Sequence, residues 1–286
     1  MTNHDQLNAW AAAHTALLVE GQSRLSDLVG TDRPDWELNL ATGLLTLNGH
    51  RLTCALLGSV DEERNSWMWA WANPGLDHHT LAIQRASSLR RFGEEAGLWE
   101  FTEESFSMEG VLDLGMTPGA TLALVASPQI MGGAIFSGLY PSGRLYLVVT
   151  DTRLTMEAPS AFTAPKAISG ALAYGLGNHR DIVTVYAGAH GLEIEESASR
   201  VAIVFADASR LEIDFDDSDR IRHMHGVVPT GETVTSGEVV TSSELVTSGE
   251  VATTTEAAPL DQAVAENAPE GESAPADPPK SVELPE

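Results

Sequence analysis

The chain has 286 residues, enough for one large domain or two small ones, and 43% of them are hydrophobic, which suits a globular protein. Its formal net charge is −25, from 16 Lys and Arg against 41 Asp and Glu. That balance argues against nucleic-acid binding, which needs basic surface to displace counterions, and against docking on anionic membranes. One cysteine, Cys54, leaves no intrachain disulfide and no cysteine-based zinc site.

Residues 4–29 carry Leu7, Trp10, Ala11, His14, Leu17, Leu18, Leu25 and Leu28 at helical spacing, with Gly30 as a stop signal and Gly21 as a place where the helix could bend. An antiparallel meander follows. Trp36, Leu38 and Leu40 alternate with polar residues, Leu44–Leu47 is a second strand, Asn48-Gly49 is a hairpin signal, and Arg51 to Ser59 is a third strand. The fourth strand is Trp67-Met68-Trp69-Ala70-Trp71, which holds three of the six tryptophans. On a strand, alternate side chains share a face, so Trp67, Trp69 and Trp71 would form one indole stripe. Each Trp can bury about 150–250 Å², so the stripe offers roughly 450–750 Å² that something must cover. Core packing is the plainer explanation; a pocket for a small apolar ligand, floored by Trp67, Trp69, Trp71 and the following Asn73, is the functional one.

Around the stripe, Asn65-Ser66-Trp67-Met68-Trp69-Ala70-Trp71-Ala72-Asn73-Pro74, preceded by Ala55-Leu56-Leu57-Gly58, resembles a family of bacterial proteins known only as a domain of unknown function. The resemblance spans about residues 5–225. It implies no activity, substrate or catalytic residue that could be carried over.

Beyond Pro74-Gly75, residues 78–96 read as a second helix and 97–113 as extended chain. Thr117-Pro118 opens a third helix with a capping residue and a proline at the first helical position. Ala134 to Tyr140 and Arg144 to Thr150 flank the turn Pro141-Ser142-Gly143. Residues 163–175 and 179–190 are two further helices. Four short strands follow, at 192–196, 200–205, 210–215 and 220–225. The expected fold is therefore α+β, with antiparallel meanders packed against four or five helices. Its order echoes between two halves, 1–113 and 114–226, which suggests a duplicated unit.

From residue 227 the composition changes. Residues 227–286 hold one Lys and twelve Asp or Glu, no aromatics, and a hexapeptide repeat that begins Thr235-Ser236-Gly237-Glu238-Val239-Val240. Such a segment cannot offset its ordering entropy by burial, so a disordered acidic tail is expected.

The residues that could carry chemistry are few. His223 and His225 would share one strand face near Asp214, Asp216, Asp217 and Asp219, a spacing that can chelate a metal. His78-His79 and the pairs Glu94-Glu95, Glu103-Glu104 and Glu195-Glu196 read as solvated positions, and Cys54, among apolar neighbours, as a buried side chain. No dinucleotide, Walker or nucleophile-elbow motif occurs, so no cofactor is implied. The start, Met1-Thr2-Asn3-His4-Asp5, has neither a basic nor an apolar leader region. The charge-free stretch 114–143 is interrupted by Pro118, Pro128, Gly132, Gly133 and Pro141. A cytoplasmic location is therefore expected. The resulting expectation is a non-enzymatic domain that binds a small apolar ligand or a protein partner. The alternative is a metal-dependent or His/carboxylate hydrolase.

Overall fold

A computed structural model describes residues 4–30, 34–114, 117, 119–154, 158–229 and 233–234. The expected N-terminal helix is two, α1 (Asp5–Ala13) and α2 (Thr15–Val29). The break falls at His14, whose Nδ1 donates to the Trp10 carbonyl at 2.7 Å while its ring stacks on the indole of Trp10. α2 runs unbroken through Gly21. The glycine allows close approach instead: a Cβ there would lie 2.1 Å from the Gly133 carbonyl oxygen.

The meander follows as β1 (Trp36–Asn39), β2 (Leu44–Leu47), β3 (His50–Asp61) and β4 (Ser66–Trp69). Asn48 and Gly49 both take positive φ, 47° and 81°, as a two-residue hairpin turn of the primed type requires. The helix expected over 78–96 is two short pieces, α3 (Leu81–Gln84) and α4 (Leu89–Ala96), with a turn between them. At that turn Arg85 extends to donate to the carbonyls of Gly43 and Cys54, which ties the break to the sheet. Then come β5 (Ser105–Ser107), α5 (Ala120–Ala126), β6 (Ala134–Tyr140) and β7 (Gly143–Val149). The chain continues through α6 (Ala164–Leu172), α7 (His179–Ala189), β8 (Glu193–Glu196), β9 (Arg200–Val204), β10 (Arg210–Phe215), β11 (Ile221–Val227) and β12 (Thr233–Val234). The fold is α+β, with antiparallel strands in two sheets.

The first sheet runs β1-β2-β3-β4-β5, with β7 added to β3 and β6 outside β7. β3 is its spine: residues 50–53 pair with β2, 54–60 with β7, and 58–61 also with β4. Both faces of this spine are buried, which explains its almost unbroken apolar run. Leu52, Cys54 and Leu56 join Leu45, Leu47, Ile83, Leu147 and Val149 in one core. Ala55, Leu57 and Val60 join the tryptophans, Tyr146, α1 and α5 in another. The register shifts between Leu56 and Gly58. Gly58 is required there, because a Cβ would sit 2.3 Å from the Met68 carbonyl oxygen and 2.8 Å from the Trp67 ring.

The second sheet is a plain meander, β8 to β12 in order, with α6 and α7 on one face. Helices α1 and α2 lie between the two units. Leu7, Ala11 and Leu18 face the first core, and Ala16 and Leu17 face the second. The expected boundary at 113/114 is thus corrected: β6 and β7 belong to the first sheet, and a cut there would sever it. Strands pair through Val227 and again at 233–234, so the second sheet reaches past the expected start of the tail at 227. Most of that expected tail, from residue 235 on, lies outside the described residues. Among the described residues no helix is long and apolar enough to cross a membrane.

Candidate functional site

The indole stripe is partly a strand and partly not. β4 points Trp67 and Trp69 to one face and Met68 to the other, as alternation requires. After Trp69 the chain enters a 3-10 turn, Ala70–Ala72, so Trp71 is not on the strand. It rejoins the stripe by stacking on Trp69, with ring centroids 6.4 Å apart and planes 17° from parallel, and Arg90 lies over its outer side at 5.4 Å. Trp67 and Trp69 are fully buried. Trp67 packs on Tyr146 and Trp69 on Phe101, at 5.4 and 4.9 Å. The Trp69 Nε1–H donates to the Glu100 carbonyl at 2.8 Å.

The expectation that this stripe floors a ligand pocket therefore needs correction. Trp67 and Trp69 have no surface to offer a ligand, Trp71 is half-buried, and Asn73 closes a turn by accepting the Gly75 N–H. A cavity beside α2, lined by Leu17, Leu18, Gln22, Leu124 and Ile135, measures about 30 Å³. That is room for a water molecule, whereas ligand pockets run to several hundred Å³.

The expected metal pair also resolves differently. His223 and His225 do share a face of β11, with Met224 buried between them on the other side. They lie opposite Asp214 and Glu212 on β10. Those carboxylates are already engaged: Arg200 donates to Asp214 and Glu212, both at 2.6 Å, and His225 Nε2 is 3.2 Å from Glu212. Among the described residues no group of three His, Cys, Asp or Glu side chains is arranged to hold a metal. The guanidinium occupies the place where a cation would sit between the carboxylates. What the spacing builds is a charge ladder on the outer face of the second sheet.

Two His–carboxylate pairs escaped the sequence reading. His190 Nε2 lies 2.8 Å from Glu20, whose other oxygen accepts from Arg24 at 2.6 Å. Tyr186 packs against His190 with the ring planes tilted, and burial, reinforced by the Glu20 charge, raises its phenol above the ordinary value. This cluster joins α2 to α7. His4 Nδ1 lies 3.0 Å from Glu100, both side chains being at most 3% exposed. Sequence separations of 170 and 96 residues leave no local spacing to read. Both pairs are enclosed by their own chain. Cys54 is buried as expected, and that burial pushes its thiol up to about 12.

The second sheet has two unlike faces. One face packs on α6 and α7; the other carries Glu193, Glu195, Arg200, Arg210, Glu212, Asp214, His223 and His225 in cross-strand register. β8 forms its edge, with all four residues exposed. Arg180 anchors the β8–β9 hairpin by donating to Asp219, Glu196 and the carbonyls of Ser197 and Ala198, while lying over the Phe215 ring.

No curated protein and no solved structure matches the chain. A family model described as a family of unknown function, DUF6882, matches residues 8–152, which is α1 through β7 and the turn that follows. The match is shorter than the resemblance over 5–225 and stops before the second sheet. The chain belongs to that family.

Proposed function

We propose that this family member is a non-enzymatic, cytoplasmic protein-binding domain, in which the tryptophan-centred unit is the scaffold and the second sheet is the contact surface. One observation carries the reading: among the described residues β8 is exposed along its whole length and the outer face of β9–β11 carries charged and histidine side chains at or near the surface, while the indole stripe is packed inside. Sheets that present one open face and a rigid core are well suited to docking, because little ordering entropy remains to be lost on binding. A small apolar ligand finds less support, given the size of the cavity beside α2. The hydrolase alternative also finds less, since His4 and His190, the histidines that meet carboxylates in the interior, are enclosed. The cytoplasmic assignment rests on the one buried thiol.

The test is site-specific photo-crosslinking of the full chain in its native cells. A cross-linker at Glu195 or His223 is expected to trap a protein that a cross-linker at Glu63, exposed on the first unit, does not. Failure to trap anything from the second sheet, or hydrolytic turnover abolished by His190→Ala, overturns the reading.

A further inference from the structure

We infer that β8 is an acceptor edge for strand addition by a basic, extended peptide that alternates Lys or Arg with a β-branched apolar residue. The inference rests on the protein-binding reading and narrows it to one edge and one partner chemistry.

The first observation is the ladder. Ser197 N–H donates to the Arg200 carbonyl at 2.8 Å, which fixes 197 and 200 as a hydrogen-bonded pair. Antiparallel pairs alternate between bonded and non-bonded. With Glu195 opposite Ala202 and Glu193 opposite Val204, the backbone groups of Glu193 and Glu195 point to β9, and those of Ile194 and Glu196 point away from the sheet. Among the described residues β8 pairs with β9 alone, so these outward N–H and C=O groups form a ready template.

The second observation is the core layer. Ile194 lies opposite Ile203, which is fully buried on the side facing α6 and α7, yet Ile194 is 36% exposed. The apolar layer runs out at β8. A sixth strand would extend it by placing an apolar side chain beside Ile194.

The third observation is charge. On the outer side β8 presents Glu193 and Glu195; Glu195 is met by Arg210, and among the described residues no cation pairs with Glu193. Glu196, on the core side, is met by Arg180 at 3.0 Å. A second copy of this edge would bring glutamates against glutamates, a like-charge arrangement that opposes pairing. A basic side chain on alternate positions of the incoming strand would face Glu193 and Glu195 instead. On another edge strand, β6, the Ile135 N–H is already taken by Gln22 at 3.0 Å.

The experiment uses the full chain, ¹⁵N-labelled, and two probes: the hexapeptide Lys-Val-Lys-Val-Lys-Val, capped at both ends, and its Glu-Val counterpart. Amide hydrogen exchange is read at Ile194 and Glu196. The basic peptide is expected to slow both amides at least tenfold at saturation, and the acidic one to leave them unchanged. Ile194→Pro, which removes an outward N–H while leaving the bonds of Glu193 and Glu195 to β9, is expected to abolish the protection of the remaining amide, at Glu196. Glu193→Lys is expected to weaken binding of the basic probe several-fold at low salt. Should Ile194→Pro disturb the sheet, the wild-type exchange pattern and Glu193→Lys decide the matter. Binding without protection of these two amides, equal protection by the acidic peptide, or no binding of the basic probe overturns strand addition. If cross-links from Glu195 or His223 are still found in that case, the protein-binding reading stands and only the edge is wrong; if both fail, both fall.

Discussion

Replacing Trp69 with Phe separates a core role for the stripe from a surface one. The phenyl keeps the contacts to Phe101 and Trp67 but loses the Nε1–H that the Glu100 carbonyl accepts at 2.8 Å. Removing about 40 Å² of buried apolar surface costs about 1 kcal/mol. Orphaning a buried carbonyl adds about 1–3 kcal/mol. The sum, about 2–4 kcal/mol, is a large share of the stability of a typical domain, about 5–15 kcal/mol. In a unit of this size it corresponds to a fall of roughly 5–15 °C in Tm. Trp71→Phe, at a half-buried position on the 3-10 turn, is the control and is expected to cost less than about 1 kcal/mol. Urea unfolding followed by far-UV circular dichroism measures both. Equal costs for the two variants, or a cost below about 1 kcal/mol for Trp69→Phe, would refute the argument that the indoles are graded by burial.

Three further outcomes are expected. Gly58→Ala should be among the most damaging single-methyl changes in the first sheet, costing about 3 kcal/mol or more, because the new Cβ meets a backbone oxygen that cannot swing away; a midpoint shift in the same urea assay checks it. The Arg153 guanidinium, with backbone N–H groups of Arg153 and Thr53, holds the Asp151 carboxyl down at about 2. A carboxyl whose folded value is depressed contributes stability above its unfolded value that is lost as pH falls through the folded one. Thermal stability should therefore decline between about pH 4 and pH 2, and Asp151→Asn should flatten that part of the profile. Cys54, with its thiol pushed up to about 12 by burial, should be silent to a thiol-reactive chromophore at pH 8 and react fully in urea; rapid labelling of the native chain would contradict its place in the core.

What the sequence made legible was local. The Asn48-Gly49 hairpin, the Pro141-Ser142-Gly143 turn and the C-terminal meander are written in turn chemistry and alternation, and the structure has all three. The pairing of β7 onto β3 is not, because it joins Cys54 to Val149 across a separation that no periodicity marks. Misplacing it put the domain boundary inside a sheet. Trp71 left its strand although the alternation continued, since propensity and pattern yield where tertiary packing wins. His223 and His225 did fall on one face as expected. Their neighbour Arg200, 14 residues from Asp214 in sequence, is what turned a chelating pattern into an ion-pair ladder.

The position of α1 and α2 between the two sheets has a consequence for synthesis. Their second face is covered by residues such as Ile168 and Ile182 of α6 and α7, which rest in turn on strands that reach Phe215 and, on β11, Met224. At about 5–20 residues per second, some 200 residues of further translation take about 10–40 s. For that interval the two helices must wait on the ribosome with an apolar side bare. These two helices, made before the elements that cover them, are thus exposed to holdase chaperones, and slowed elongation between α2 and β10 should lengthen their dependence on them.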